Sequence, residues 1–565
     1  MTRARLGALA VVVALIMPMV VGAMARAQQL PYERAALIIV VPGMSFEELM
    51  SLPEAAALAR AGGAGLLANE DDFTIPRVPG VPEGTPPGRE HFLLLSRNRS
   101  ALGQDIRDAV SSFPADELMV LLLSQGPSRE MLAKGDELMP IVTAVGKPSD
   151  LFPDDGVEGS LTSDSTLRRG VVTGEDIRAT DVLFLNGPVD EFPGSPIEII
   201  PGPPPFELHE RYLAQRRMYV PIGTAGAIYL AIAGLGAIVV LALGSRIPRG
   251  IRRIFGWASL SVAALATSLL AAGHLPDLSY ATVVPFVALV TVFGTLACAP
   301  LEDREVLLIP AGIGIAVLAS FAVEAILSWT AALTPFVGGS ELDGGRFYGL
   351  PNVFIGLLIG ACLWIAQRLR TLAGFALLVG VALFAGLPYL GANLGGGVSL
   401  FAAAGLWLAI RERERLGIWR GLGVFVGVTV LGTAVILAAH AISPFETHVT
   451  RFEEQAGGLA GVVDRIGDRI QVGFDLIARN PFALIPVVGL PIAIAAVLRP
   501  PAALRPSLQR SPAWRDAILV TLLAGVVAYL ANDSGSAAAG FAFGLGLGGL
   551  LGVSLLSEAG KMGEP

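Results

Sequence analysis

From Met218 to the C-terminus the chain is dominated by long apolar segments, and no other feature constrains its fold as tightly. Their approximate centres are Ala231, Ala264, Ala288, Ala316, Leu358, Val379, Ala403, Val430, Val488, Gly525 and Leu545. That makes about eleven segments of the ~20 apolar residues that carry a helix across a hydrocarbon core. Lipid offers no hydrogen-bond partner to a bare peptide group, so such segments are expected to form an all-α polytopic membrane bundle of about eleven helices over residues 216–558. Composition agrees: 53% of the 565 residues are hydrophobic and 16% charged, and the mean hydropathy is +0.64. The net charge of -8 argues against nucleic acid as a partner, because phosphate neutralisation needs clustered cations. The two cysteines, Cys298 and Cys362, lie in apolar segments, and the five histidines have no metal-ligand spacing, so neither a cofactor nor a metal is implied.

The loops between the apolar segments give an orientation. Arg246, Arg249, Arg252 and Arg253 fall in one loop, and Arg368 and Arg370 in another. Two more hold Arg411, Arg413, Arg415 and Arg420, and Arg499, Arg505, Arg510 and Arg515. These are alternate loops, and basic loops stay on the cytoplasmic side. The loop from Pro300 to Glu305 departs from the pattern, but acidic residues weigh little in that rule. The expectation is a multi-pass protein of the cell (cytoplasmic) membrane with an extracytoplasmic N-terminal domain and a cytoplasmic tail at 559–565.

At the start, Arg3 and Arg5 precede an apolar run from Leu6 to Val21, and Ala25-Arg26-Ala27 offers the small residues a signal peptidase reads. Residues 1–27 read as a signal peptide, with an uncleaved anchor as the alternative. Residues 28–215 have the composition of an exported soluble domain. The runs Ala36 to Val41, His91 to Leu95, Leu118 to Leu123, Ile141 to Val145 and Asp181 to Leu185 are too short to span and read as buried strands. Helical patterns such as Glu54 to Ala61 lie between them, which predicts an α/β layer fold with a largely parallel sheet.

On this topology the polar signals of the membrane half gather outside. The stretch 340-SELDGGRFYGLPN-352 carries Glu341, Asp343, Arg346, Tyr348 and Asn352 between two apolar segments. It is joined by 391-GANLGGG-397 with Asn393, by 448-HVTRFEEQ-455 with His448 and Arg451, and by 532-NDSG-535 with Asp533. Taken singly, these are ordinary turn, cap and ion-pair residues. Their co-occurrence on one face makes a shared outward-facing site the sharper reading. Within the loop from Ala441 to Asn480, apolar residues recur at helical spacing and predict an amphipathic outer helix over about 459–479. It reads equally as a cover on the bundle and as a guide for a lipid substrate.

The segments 38-IIVVPGMSFEEL-49 and 52-LPEAAALARAGGAGLL-67 resemble the opening of alkaline phosphatase superfamily domains. The stretch 161-LTSDSTLRRGVVTGEDIRATDVL-183 is similar to a later motif of a bacterial branch in which such a domain precedes a multi-span half. That half has motifs similar to 346-RFYGLPN-352, 391-GANLGGG-397, 448-HVTRF-452 and 532-NDSG-535. The resemblance implies a shortened, alkaline phosphatase-like exported α/β domain. Pro42 stands where that superfamily places a metal-binding Asp, and Ser124-Gln125-Gly126 where active members supply an Asp-His pair. Two-metal phosphoryl chemistry needs such ligands, so the domain is expected to be catalytically degenerate.

Three functions remain open at this point. The first is an envelope protein whose outward polar site, in contact with membrane lipids, handles a lipid-linked or polymeric substrate. The second is a metal-dependent phosphotransferase or phosphohydrolase acting through the exported domain, a layout resembling ethanolamine-phosphate transferases. The third is a transporter or flippase.

Overall fold

The computed structural model describes residues 32–68, 90–94, 101–134, 136–156, 158–166, 168–186, 194–273, 275–297, 336, 349–388, 390–443, 484–510, 512–532 and 535–561. The N-terminal part is built on β1 (Tyr32–Pro42), β2 (Gly63–Ala68), β3 (Glu90–Leu94), β4 (Ala115–Gln125), β5 (Met139–Gly146), β6 (Gly159–Thr162), β7 (Val171–Thr173) and β8 (Glu198–Pro201). They form one sheet in the order β3-β1-β4-β5-β2-β6-β8, with β7 also paired to β2. Pairs β1–β3, β1–β4, β2–β6 and β2–β7 are parallel. Pairs β2–β5, β4–β5 and β6–β8 are antiparallel, so the sheet is mixed rather than largely parallel. Strand direction was illegible for a physical reason. Alternate residues of β1 enter two separate cores, Leu37, Ile39 and Val41 on one face and Ala36, Ile38 and Val40 on the other. A strand buried on both faces reads as an unbroken apolar run, whatever the direction of its neighbours.

The helices α1 (Phe46–Met50), α2 (Pro53–Ala61), α3 (Leu102–Ser111), α4 (Arg129–Lys134) and α5 (Gly174–Phe184) accompany the sheet. The run Asp181 to Leu185, expected as a strand, forms the end of α5 and its C-cap. Thr173 and Asp176 make a reciprocal capping box at the start of that helix, and Ile177, Thr180 and Asp181 are buried at helical spacing. A short apolar run cannot itself distinguish strand from helix; the cap seven residues upstream of Thr180 decides it here. Asp176 is buried completely and fully engaged. Its Oδ2 accepts from Ser163 Oγ at 2.7 Å and from the Thr173 amide at 2.8 Å, and its Oδ1 accepts from the Ser195 amide at 2.9 Å.

One helix, α6 (Phe206–Leu243), leaves this domain as part of its core and continues as an apolar helix of spanning length. Tyr212 on its first turns is fully buried in the sheet domain, and His209 Nε2 lies 3.0 Å from Asp136 Oδ1 with both side chains buried. Arg216 pairs with Glu137 at 2.7 Å. Further along, Ile228, Ile232, Leu235 and Val239 are exposed, a face suited to lipid. The boundary expected at residue 215 thus falls inside a continuous helix.

The remaining helices are α7 (Arg249–Leu260), α8 (Val262–Ala272), α9 (Tyr280–Leu296), α10 (Asn352–Ala366), α11 (Thr371–Gly386), α12 (Leu394–Arg411), α13 (Arg413–Ala441), α14 (Leu484–Leu498), α15 (Arg505–Arg510), α16 (Pro512–Ala531) and α17 (Gly535–Lys561). Among the described residues, five helices are long and apolar enough to cross a membrane, and shorter apolar helices accompany them. The expected centres fall in described helices except Ala316, which lies outside the described residues, as do residues 1–27 and the expected helix at 459–479. Buried residues of α10, α12, α16 and α17 join one core, including Trp364, Leu400, Ala528 and Leu555. On α9 and α13, Val292, Phe293, Val430 and Leu431 instead face outward. A helical half whose outer faces are this apolar is that of a membrane protein.

The bundle has two chemically distinct ends. At one, Arg411 bonds the Leu369 carbonyl and Arg413 bonds Asp516, so three of the arginine-rich loops meet. At the other, α10, α12 and α17 begin and α16 finishes. The sheet domain sits at this second end, where Arg211 donates to the carbonyls of Gly273 and Leu275 between α8 and α9, at 2.7 and 3.1 Å.

Candidate functional site

The N-termini of α10 and α12 are tied together by Asn393. Its Nδ2 donates to the Leu350 carbonyl at 2.7 Å and to Asn352 Oδ1 at 2.8 Å, while its Oδ1 accepts the Gly396 amide at 2.7 Å and caps α12. Asn393 is completely buried, and Asn352 is 6% exposed. The chain reaches this geometry through a tight approach. Gly349 has φ +98 and lies against the Gly391 carbonyl where a side chain would collide, and the Leu350 amide donates to that carbonyl at 2.8 Å.

Asn532, at the end of α16, completes the cluster. Its Nδ2 donates to the Ala528 carbonyl at 2.8 Å and to Ser399 Oγ at 3.2 Å, and Ser399 in turn donates to the Gly395 carbonyl at 2.6 Å. Its Oδ1 is buried and, among the described residues, has no hydrogen-bond partner. A side chain on Gly395 would strike this oxygen and the Ala531 carbonyl, which places the bare acceptor against the first turn of α12. The first turn of α17 is close as well, because a side chain on Gly356 of α10 would overlap the Ala538 carbonyl. Three helix N-termini therefore converge. Each presents amides without intrahelical partners and the equivalent of roughly half a positive charge. His440 Nε2 lies 2.9 Å from the Gly386 carbonyl at the same end of the bundle.

Of the expected site residues, Asn352 and Asn393 are brought into direct contact. Glu341, Asp343, Arg346, Tyr348, His448, Arg451 and Asp533 lie outside the described residues. Asn532 and Ser399 were not singled out by the sequence, although a signal was present. Thr521, Ala524, Gly525 and Ala528 are buried on α16, and Asn532 continues that inward stripe one turn beyond Ala528. The neighbouring loop, 273–279, carries a carboxylate of another kind. Thr282 and Ser279 hydroxyls donate to Asp277 Oδ2 at 2.6 and 2.7 Å and hold its carboxyl below the usual range at a fully exposed position.

In the sheet domain, Pro42 and Gln125 stand opposite each other at the ends of β1 and β4. Ser124 Oγ accepts the Met44 amide at 2.9 Å, so this hydroxyl ties the loop after β1 to β4. Among the described residues no group of three or more His, Cys, Asp or Glu is placed to hold a metal ion. Set against known protein families, curated proteins and solved structures, the chain matches no family description, no curated protein and no solved structure.

Proposed function

We propose that this is a multi-pass envelope membrane protein whose asparagine end binds the polar head of a lipid-linked or polymeric envelope substrate. The sheet domain, on this reading, is a shortened and catalytically degenerate relative of the alkaline phosphatase fold, held outside as a binding or regulatory module. The observation that carries the proposal is the buried Asn532 Oδ1, unpartnered among the described residues, beside the converging N-termini of α10, α12 and α17. Helix N-termini favour a phosphate or carboxylate. A bare amide oxygen calls for a hydroxyl or N–H donor, because an unserved buried acceptor costs about 1–3 kcal/mol. A phosphate-linked sugar supplies both groups in one head.

The purified full-length protein in detergent should retain a polyprenyl diphosphate-linked sugar over phosphatidylcholine in native mass spectrometry. Asn532→Ala removes one hydrogen bond to the ligand, which at about 1 kcal/mol lowers affinity roughly fivefold. The same variant should melt close to the wild-type temperature. Equal retention by both proteins would sink the proposal.

A further inference from the structure

Helix α14 runs to the arginine-rich end of the bundle with two contrasting faces. Leu490, Ala493 and Val497 are buried against the core, whereas Ile485, Val488 and Ile492 are exposed on the other side. Arg499 continues that outer face, because it follows Ile492 by about two helical turns and its amide still bonds the Ala495 carbonyl. The chain then turns into α15, where Leu508 is buried while Arg505 and Arg510 are exposed. We infer that this outer face of α14 and α15 docks an anionic phospholipid, with its phosphate on Arg499 and Arg505 and its acyl chains along Val488 and Ile492.

Charge identifies the headgroup. From Leu484 to Arg515 the chain contains no carboxylate. Helices α14 and α15 pack on α16 and α17, whose acidic residues are Asp516 and Glu558. Asp516 is held by Arg413 and Arg515, and Glu558 shares the last turn of α17 with Lys561. On α13 and its cap, Glu412 pairs with Arg415, and Glu414 lies within electrostatic reach of Arg413. Among the described residues no carboxylate pairs with Arg499, Arg505 or Arg510, so the face is positive. Glu302, Asp303 and Glu305, in the stretch after α9, lie outside the described residues. The apolar stripe identifies a lipid as the source of the anion, since a soluble anion would leave the aliphatic row that leads into Arg499 without a role. The inference is independent of the asparagine end and requires only that the helical half lies in a bilayer.

The full-length protein, acidic stretch included, is titrated separately with phosphatidylglycerol and phosphatidylcholine, and bound lipids are counted by native mass spectrometry. Phosphatidylglycerol should bind in preference to phosphatidylcholine. Arg499→Gln should weaken it roughly fivefold and Arg499→Gln/Arg505→Gln roughly twentyfold, the loss expected for one and two basic residues beside anionic headgroups. Both positions are exposed, so the variants should melt with the wild type. Arg420→Gln removes another exposed cation, on α13 at the same end, and should change binding by less than about twofold. A loss in Arg420→Gln as large as that in Arg499→Gln would reduce the effect to general charge and overturn the inference. Undiminished phosphatidylglycerol binding in the double variant overturns it too. So does displacement of the lipid from the wild type by millimolar inorganic phosphate, which would make a soluble anion the ligand.

Discussion

Asp176 in the sheet domain and Asn532 in the bundle are both buried polar side chains that join distant parts of the chain, yet their hydrogen-bond inventories differ. Asp176 satisfies Ser163, Thr173 and Ser195 with its two oxygens. Asn532 places its amide nitrogen on two acceptors, and its oxygen has no partner among the described residues. A buried polar group with all its partners in place is structural cement. One left with an open acceptor beside three helix N-termini has capacity for something from outside. Burial and polarity alone would have ranked the charged residue first, whereas the count of satisfied lone pairs ranks the neutral one.

The comparison can be broken by mutation. The largest effect is expected for Asp176→Ala, which strands two buried donors, the Ser163 hydroxyl and the Thr173 amide, at about 1–3 kcal/mol each, and releases the half-buried Ser195 amide as well. A loss of about 3 kcal/mol would lower the unfolding temperature of the sheet domain by roughly 6–12 °C, followed by circular dichroism of the full-length protein. A shift as small as that of Asn532→Ala would abolish the distinction drawn here. Asn393→Ala should fall between them, at about 2 kcal/mol, because it removes an N-cap and the bond to the Leu350 carbonyl together. Asn393→Asp sharpens this: the cap oxygen survives, but the second carboxylate oxygen is buried against the Leu350 carbonyl, so this variant should melt no higher than Asn393→Ala.

The smallest effect concerns Asp277, a hydroxyl-bonded carboxylate like Asp176 but in water. Its folded pKa is lowered, so its contribution is fully present above the ordinary carboxylate value and disappears as pH falls through the lowered one. Amide exchange at the start of α9, corrected for intrinsic rates, should therefore accelerate on acidification below about pH 4. Asp277→Asn should remove that acid-dependent step.

Much of the scaffold was legible in the residues. The runs at Ala36, Leu118 and Ile141 became β1, β4 and β5 because strands buried on both faces must be apolar throughout. Strand β2, GAGLLA, escaped notice because its glycines dilute the apolar signal; Gly63 and Gly65 are there to admit Leu161. At the candidate site, the asparagine and glycine motifs include Asn352 and Asn393, which meet where α10 and α12 begin. The side chains that meet there were less legible. Asp533 drew attention by its charge, while Asn532, one residue earlier, lies on the inward stripe of α16, and a step of one residue turns a helix by about 100°.

That same angle governs how the two halves of the molecule are joined. Because α6 is both a core element of the sheet domain and an apolar helix of the bundle, there is no linker in which a change of phase could be absorbed. Inserting a single residue between Tyr212 and Pro221 would swing the sheet domain by about 100° around the helix axis and lift it about 1.5 Å. Arg211 would then be carried away from the Gly273 and Leu275 carbonyls. The heading of the sheet domain over the bundle is thus set by residue count along one helix, as the bearing of a key is set by its shaft.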